Sequence, residues 1–146
     1  ADEAYLIIRG IRTLDIRLKA HSENTLKIVN FLKKQKKIKE VLYPHKPGSK
    51  NYKMWKKYYS GATGLFSIVI KAKSQSSVLK FVNKLELFGI GYSWGGFESL
   101  AIHHNISKSR TFYKFGKDEH LVRIHVGLED PADLILDLKN SLKFIK

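Results

Sequence analysis

Apolar residues recur at helical spacing near both ends of the chain. Those between residues 11 and 32 form one stripe with charged residues between them, which predicts a long amphipathic helix. A shorter stretch, residues 2–8, begins with acidic residues and stops at Gly10, so it predicts a separate turn or helix. Near the other end, Asp130 predicts an N-cap and Pro131 the first residue of a final helix. The apolar face of that helix consists of Leu134, Leu138, Leu142 and Ile145.

Between these helices the apolar pattern becomes that of strands. The continuous β-branched run at 65–70 predicts a buried strand, and residues 121–126 alternate with Val122, Ile124 and Val126 on one face. Further strands are predicted at 41–44, 88–92 and 99–102, and short helices at 51–59 and 78–85. The order is helix, helix, strand, helix, strand, helix, three strands and helix. It predicts an α/β (α+β) two-layer sandwich: a small, mostly antiparallel sheet with helices mainly on one face.

Composition narrows the class of protein. Of the 146 residues, 43% are hydrophobic, which is enough for the core of one domain, and no repeat or linker divides residues 1–146. The chain has no cysteine, which excludes disulfides and thiol chemistry. It also has no apolar run of the ~20 residues that span a membrane. We therefore expect a cytoplasmic protein with no membrane partner.

The net charge of +14 raises the question of an acidic partner. Between Glu40 and Glu86 many lysines are interleaved with tyrosine and tryptophan, and no carboxylate intervenes. Basic residues with aromatics can bind phosphates and stack on bases. A lysine-rich composition gives the same pattern on helices that simply face solvent, and we favour this interpretation of the interval. The alternative that stays open is a non-catalytic basic module that binds nucleic acid or acidic partners.

Arg123 is the residue that most clearly requires a binding partner. It stands among β-branched residues in the 121–126 strand, so either an acid of this chain or a ligand anion should meet its guanidinium. The glycine-rich stretch 89–96 allows either a tight chain reversal or close approach to a ligand, and it lacks the spacing of a phosphate-binding loop. His103 and His104 are adjacent and would point to opposite faces of a strand, so no metal site is predicted.

Three stretches resemble a known family in order and spacing. They are Ala4-Tyr5 with Arg9-Gly10-Ile11-Arg12-Thr13-Leu14 and Arg17, then residues 92–100 (YSWGGFESL), then residues 121–130 (LVRIHVGLED). Together they are similar to the C-terminal part of the pyridoxal-phosphate enzymes of cysteine and methionine metabolism. The Tyr-Ser-Trp-Gly-Gly form is most similar to that of bacterial cystathionine β-lyases. The resemblance spans nearly the whole chain and implies the fold of the C-terminal domain of fold-type I pyridoxal-phosphate enzymes.

The resemblance also implies site residues. Arg123 matches the arginine that grips the substrate α-carboxylate, and Ser93 matches a serine near that carboxylate. The backbone of Trp94 helps to hold the carboxylate, and Tyr92 lines the pocket. The Schiff-base lysine and the other cofactor-binding groups of the family lie in a larger N-terminal domain, so we expect no catalytic, cofactor-binding or metal-binding residue here.

The function implied is that of a single C-terminal, substrate-carboxylate-binding domain, residues 1–146, of a carbon–sulfur lyase. The intact family enzyme converts cystathionine to homocysteine, pyruvate and ammonia in methionine biosynthesis. Pyridoxal phosphate is expected in the intact enzyme and not on this chain alone, which we expect to be inactive. A separate N-terminal polypeptide is a candidate partner, and family enzymes form homo-oligomers.

Overall fold

A computed structural model describes residues 2–106 and 114–146. Its helices are α1 (Asp2–Ile11), α2 (Leu14–Leu32), α3 (Tyr52–Tyr58), α4 (Gln75–Asn83) and α5 (Pro131–Ser141), followed by a 3-10 turn at Leu142–Phe144. Its strands are β1 (Ile38–Leu42), β2 (Leu65–Lys71), β3 (Gly89–Ile90), β4 (Leu100–His104) and β5 (Glu119–His125). The order of these elements confirms the predicted order.

The helix predicted over residues 11–32 is interrupted near its start. Arg17 donates from Nη2 to the carbonyl oxygen of Gly10 at 2.6 Å and from Nε to the hydroxyl of Thr13 at 3.3 Å. The first contact satisfies a carbonyl where α1 ends. The residues Gly10, Thr13 and Arg17 therefore fix the break between α1 and α2.

The sheet has the strand order β1-β2-β5-β4-β3. The first three neighbouring pairs are antiparallel, whereas β3 and β4 are parallel. The mostly antiparallel sheet is thus confirmed. The parallel pair rules out a tight reversal of the chain between the strands that flank residues 93–96, because a hairpin joins only antiparallel strands. Residues 91–99 instead form a crossover, here called the β3–β4 connection.

Helices α2, α4 and α5 cover one face of this sheet. Their buried side chains, including Ile28, Phe81 and Leu138, pack in one cluster with Val122 and Ile124 of β5. Burial of each such side chain contributes about 1.5–3 kcal/mol relative to exposure. The helices therefore lie mainly on one face, as predicted, and that face contains the main core.

The two ends of the chain differ in how well their helices are fixed. At the start of α5, the Asp130 carboxylate accepts the backbone N–H of Ala132 at 2.7 Å and Pro131 occupies the first turn, as predicted. By contrast, α1 has no buried residue, and its Leu6 and Ile7 side chains are each 62% exposed. None of the described helices is both long enough and apolar enough to cross a membrane.

Candidate functional site

Arg123 lies in the middle of β5, on the face opposite the main core. The strand register places it between Ser67 of β2 and Ile102 of β4. Its Nη2 group donates to the carbonyl oxygen of Tyr92, and its guanidinium carbon lies 5.6 Å from the centre of the Tyr92 ring. Within residues 2–106 and 114–146, Arg123 forms no ion pair. Of the two partners expected for this group, an acid of the chain or a ligand anion, the described residues do not supply the first.

Among the described residues, the contact with Tyr92 uses one of the several N–H groups of the guanidinium. A guanidinium carries several N–H donors in one plane, and a carboxylate favours two of them side by side. Because Arg123 is partly exposed, an anion can approach it without disruption of the sheet. Arg123 therefore has the geometry of an anion receptor.

The other three predicted site residues lie on the β3–β4 connection. Tyr92 contacts Arg123 as described, and its ring packs edge-on against His104 with centres 5.9 Å apart. Ser93 is exposed and Trp94 is 63% exposed. The structure thus brings Tyr92 into contact with Arg123, and it places Ser93 and Trp94 directly after Tyr92 without a hydrogen bond between either of them and Arg123 in the described chain.

His125 holds the next two residues of the connection. The residue is 2% exposed, and its Nε2 lies 3.1 Å from the carbonyl oxygen of Gly96. The amide nitrogen of Gly95 lies 3.5 Å from Nδ1 and 3.2 Å from Nε2. Burial lowers the pKa of His125, while the hydrogen bond with Gly96 partly opposes this shift. The imidazole is therefore neutral at neutral pH, with one ring nitrogen as donor and the other as acceptor.

The end of the connection is fixed by a buried polar network. The Glu129 carboxylate accepts the backbone N–H of Ser99 at 2.7 Å and its hydroxyl at 2.8 Å. The Ser99 hydroxyl in turn accepts the N–H of Gly127 at 2.9 Å. A Cβ atom at Gly127 would lie 2.1 Å from the carbonyl oxygen of Phe97, so only glycine allows this close approach.

Sequence patterns do not reveal these anchoring residues. His125, Ser99, Gly127 and Glu129 all lie in the stretches that carry the family resemblance, and this location is the one signal that could have found them. Periodicity assigns them no role because each contact joins distant parts of the chain, as with Ser99 and Glu129, which are 30 residues apart.

The histidine pair singled out from the sequence does not form a metal site. Among the described residues, no group of three or more histidine, cysteine or carboxylate side chains could hold a metal ion. His103 instead lies near His120, with ring centres 5.9 Å apart. Burial, with a smaller effect of the neighbouring His120 and His104, lowers the pKa of His103.

The lysine-rich interval also contains an aromatic hollow. Aromatic residues including Tyr43, Trp55 and Tyr59 line a hollow of about 680 Å³, and no lysine is among its described lining residues. Lys46 lies outside this lining, and burial, followed by the charges of Lys33 and Lys34, lowers its pKa. Outside the hollow, Lys57 Nζ lies 5.2 Å from the centre of the Tyr58 ring. The nucleic-acid alternative therefore stays a prediction.

Comparison with known proteins decides the family. The model of the Cys/Met metabolism PLP-dependent enzyme family, where PLP is pyridoxal phosphate, matches residues 1–143. This chain belongs to that family. The resemblance noted in the sequence is confirmed, and the family membership accounts for the shared motifs in α1, the β3–β4 connection and β5.

Individual relatives show what the family contains. Cystathionine beta-lyase MetC of Escherichia coli (strain K12) is 40% identical over 142 residues, which cover 94% of this chain and 36% of the relative. The L-alanine/L-glutamate racemase of Wolbachia pipientis wMel is also 40% identical over 142 residues, which cover 96% of this chain and 35% of the relative. The chain therefore spans about 36% of the length of the curated relatives it matches.

A solved structure gives the same result for the fold. It is a Campylobacter jejuni protein described as an O-acetylhomoserine (thiol)-lyase, with N'-pyridoxyl-lysine-5'-monophosphate at position 205. It matches with a TM-score of 0.81 and 32% identity, over 96% of this chain and 33% of that protein. The fold class predicted from the sequence is confirmed by this match.

The residues around Arg123 do not form a complete site for the family cofactor. Pyridoxal phosphate needs an amine for its Schiff base and donors for its phosphate, which helix N-termini often supply. The N-terminus of α5 is capped by the Asp130 carboxylate, and that of α4 by the Ser74 hydroxyl. The contacts of Arg123 involve Tyr92 and no lysine. The described surface fits an anion receptor instead.

Proposed function

We propose that this chain is the C-terminal, substrate-carboxylate-binding domain of a cystathionine β-lyase, and that Arg123 binds the α-carboxylate of the substrate. The observation that carries the proposal is the partly exposed guanidinium of Arg123, which meets no acid of the described chain. A carboxylate is the natural partner for such a group. Relatives named cystathionine beta-lyase, such as that of Escherichia coli at 40% identity, support the choice of reaction.

Tyr92 forms one wall of this proposed site. Its carbonyl accepts from Nη2 of Arg123, and the guanidinium carbon lies 5.6 Å from its ring centre, close enough for a cation–π interaction. These two contacts restrict the orientation of the guanidinium plane. We assign the Ser93 hydroxyl and the Trp94 backbone N–H to the same carboxylate, because both follow Tyr92 directly on the connection.

The complete reaction needs more than this chain. The intact enzyme converts cystathionine to homocysteine, pyruvate and ammonia, and pyridoxal phosphate supplies the electron sink for that chemistry. The residues of this chain hold the amino-acid substrate, and the cofactor is held by a separate N-terminal domain or polypeptide. The assembled enzyme is a cytoplasmic homo-oligomer of methionine biosynthesis, and the isolated chain is inactive.

The inactivity of the isolated chain has a direct test. The purified chain is mixed with pyridoxal phosphate and cystathionine, and Schiff-base absorbance and pyruvate are measured. We expect neither signal above that of a control without protein. Pyruvate release by the chain alone would contradict the assignment of the cofactor site to another domain.

The role of Arg123 is tested in a chimera in which this chain replaces the matching 36% of Escherichia coli cystathionine beta-lyase MetC. Arg123→Ala should lower kcat/KM for cystathionine by about 30- to 5,000-fold, since loss of one partner of a buried charge pair costs about 2–5 kcal/mol. Arg123→Lys should give a kcat/KM between those of the wild type and Arg123→Ala. A lysine keeps the positive charge, but its ammonium cannot form the planar two-point contact. An unchanged kcat/KM in Arg123→Ala would remove the proposed role.

The same chimera separates two reactions carried out by relatives at equal identity. Both a cystathionine beta-lyase and an L-alanine/L-glutamate racemase are 40% identical to this chain. Pyruvate release from cystathionine supports the lyase assignment. Interconversion of alanine enantiomers without pyruvate release would show that this domain serves racemisation, while the carboxylate role of Arg123 would stand.

A further inference from the structure

Two side chains of β5 hold the β3–β4 connection at two separate points. Arg123 contacts the carbonyl oxygen of Tyr92, and the His125 ring contacts the backbone of Gly95 and Gly96. These two residues are two positions apart on one strand, so their side chains leave the same face about 7 Å apart. The backbone of Ser93 and Trp94 spans the interval between the two contacts.

The second contact point lies where the connection is least rigid by itself. Gly95 has φ +84°, and neither it nor Gly96 has any atom within 4 Å of the position of a Cβ. Glycine loses more conformational freedom than other residues when its backbone is fixed. An ordered path through two successive glycines therefore needs a partner outside the connection, and His125 is such a partner in the described structure.

We propose that His125 is a positioning residue, which fixes Gly95 and Gly96 so that Ser93 and Trp94 are presented beside Arg123. This inference rests on the proposed function, because it gives the presented residues a substrate to bind. His125 does not touch the substrate. It acts through the backbone of the connection. When the His125 side chain is removed, that backbone moves away from the guanidinium of Arg123.

The surroundings of His125 support a neutral ring with fixed hydrogen bonds. The His21 ring of α2 lies 5.3 Å away, and its Nδ1 is 2.7 Å from the Val126 carbonyl oxygen. The charges of His21 and Arg123 oppose protonation of His125, whereas the Glu129 carboxylate favours it. A neutral ring with its proton on Nε2 donates to the carbonyl oxygen of Gly96 at 3.1 Å and leaves Nδ1, 3.5 Å from the Gly95 nitrogen, to accept that N–H. An imidazolium could not accept from Gly95, since both of its nitrogens are donors.

The experiment compares two replacements of His125 in the full chain. His125→Leu removes donor and acceptor, whereas the amide of His125→Gln can both donate and accept near the position of Nε2. Amide hydrogen exchange is measured by NMR for residues 92–97 and, as a reference, for the core strands β2 and β5. The control is His120→Leu, the same change on the same strand away from the connection.

In His125→Leu, we expect exchange of the 92–97 amides to accelerate by about tenfold, the effect of losing two hydrogen bonds, while the core amides keep their wild-type rates. His125→Gln should restore slow exchange, and His120→Leu should leave residues 92–97 unchanged. Three results would overturn the proposal: no acceleration in His125→Leu, no rescue by His125→Gln, or equal acceleration of the core amides, which would make the residue merely structural.

A kinetic readout in the chimera separates this inference from the proposed function. His125→Leu should raise KM for cystathionine more than it lowers kcat, because presentation of the carboxylate site is disturbed and the reacting atoms are not. If Arg123→Ala severely lowers kcat/KM and His125→Leu does not change KM, the positioning role of His125 is wrong and the proposed function stands. If His125→Leu frees the connection but Arg123→Ala leaves kcat/KM unchanged, the proposed function fails instead.

Discussion

Different forces hold the two faces of β5. Val122 and Ile124 point toward the helices, are fully buried and belong to the apolar cluster. Arg123 and His125 alternate with them and bind the backbone of the β3–β4 connection. Apolar burial is non-directional and scales with area, whereas a hydrogen bond requires particular atoms at defined distances. One strand thus carries both the core of the fold and the anchors of the candidate site.

The stability of the fold and the geometry of the candidate site therefore depend on alternate residues of β5. A substitution on the helix-covered face removes packing for the whole domain. A substitution at Arg123 on the opposite face changes the connection and leaves the packing of the apolar cluster between helices and sheet intact. The two classes of variant should therefore be separable by measurements of unfolding and of local structure.

The largest effect on stability is expected on the covered face. Ile124→Ala should lower the free energy of unfolding by about 2–5 kcal/mol, because it leaves a cavity among fully buried side chains. Urea denaturation followed by circular dichroism measures this change. Leu136→Ala on α5, where the side chain is 55% exposed, is the control and should change stability by about 0.5 kcal/mol or less. Equal effects of the two variants would break the comparison.

A smaller loss is expected where backbone segments approach each other beside the site. Gly127→Ala should destabilise the protein by about 1–3 kcal/mol, because its Cβ would lie 2.1 Å from the Phe97 carbonyl oxygen and force the two segments apart. Gly61→Ala is the matched control, since no atom lies within 4 Å of a Cβ there. Thermal unfolding compares the two. A Gly127→Ala protein as stable as the control would show that the segments separate freely.

Local signals in the sequence were sufficient for the elements of the covered face. The apolar run in β2, the alternation in β5 and the Asp130-Pro131 start of α5 each depend on nearby residues, and each is confirmed. The break before α2 is less visible, because it depends on a side-chain contact from Arg17 back to Gly10. The parallel pairing of β3 with β4 is also not encoded in periodicity, which gives the faces of a strand and not its neighbour.

The candidate site divides in the same way. Strand alternation is enough to place Arg123 opposite the apolar residues of β5, and the family resemblance adds Tyr92, Ser93 and Trp94. Neither argument assigns roles to His125 or Glu129. Their partners lie about 30 residues away and become neighbours only after the sheet has formed. Such contacts require knowledge of the strand order.

The pH dependence of stability should reflect two histidines whose pKa values are lowered, the buried His125 and the half-buried His103. Burial lowers the pKa of both His125 and His103 below the ordinary value of 6.5. Below that pH the unfolded chain binds more protons than the native one, so the stability present above about pH 6.5 is lost as the pH falls toward the lowered pKa values. Melting temperatures between pH 7.5 and 5 measure this loss.

A variant of His125 shows how much of that pH dependence comes from the face of β5 that carries Arg123. His125→Gln removes one of the two titrating groups and should flatten the decline, and a second replacement, His103→Gln, should flatten it separately. Such additivity is expected because the register offsets the two groups by three residues on neighbouring strands, His103 opposite Val122 and His125 opposite Leu100. A melting temperature that rises on acidification would contradict the sign of both shifts.

The smallest change in stability is expected at Arg123. Arg123→Ala should shift the free energy of unfolding by about 0.5 kcal/mol or less, because the side chain is partly exposed and forms no ion pair in the described chain. Urea denaturation measures the shift, with Ile124→Ala beside it on the strand as the comparison. A loss of about 2 kcal/mol or more would make Arg123 a structural residue and remove the distinction between the faces. A near-zero loss, together with a large fall in kcat/KM in the chimera, would mean that this arginine is held in the sheet for its ligand.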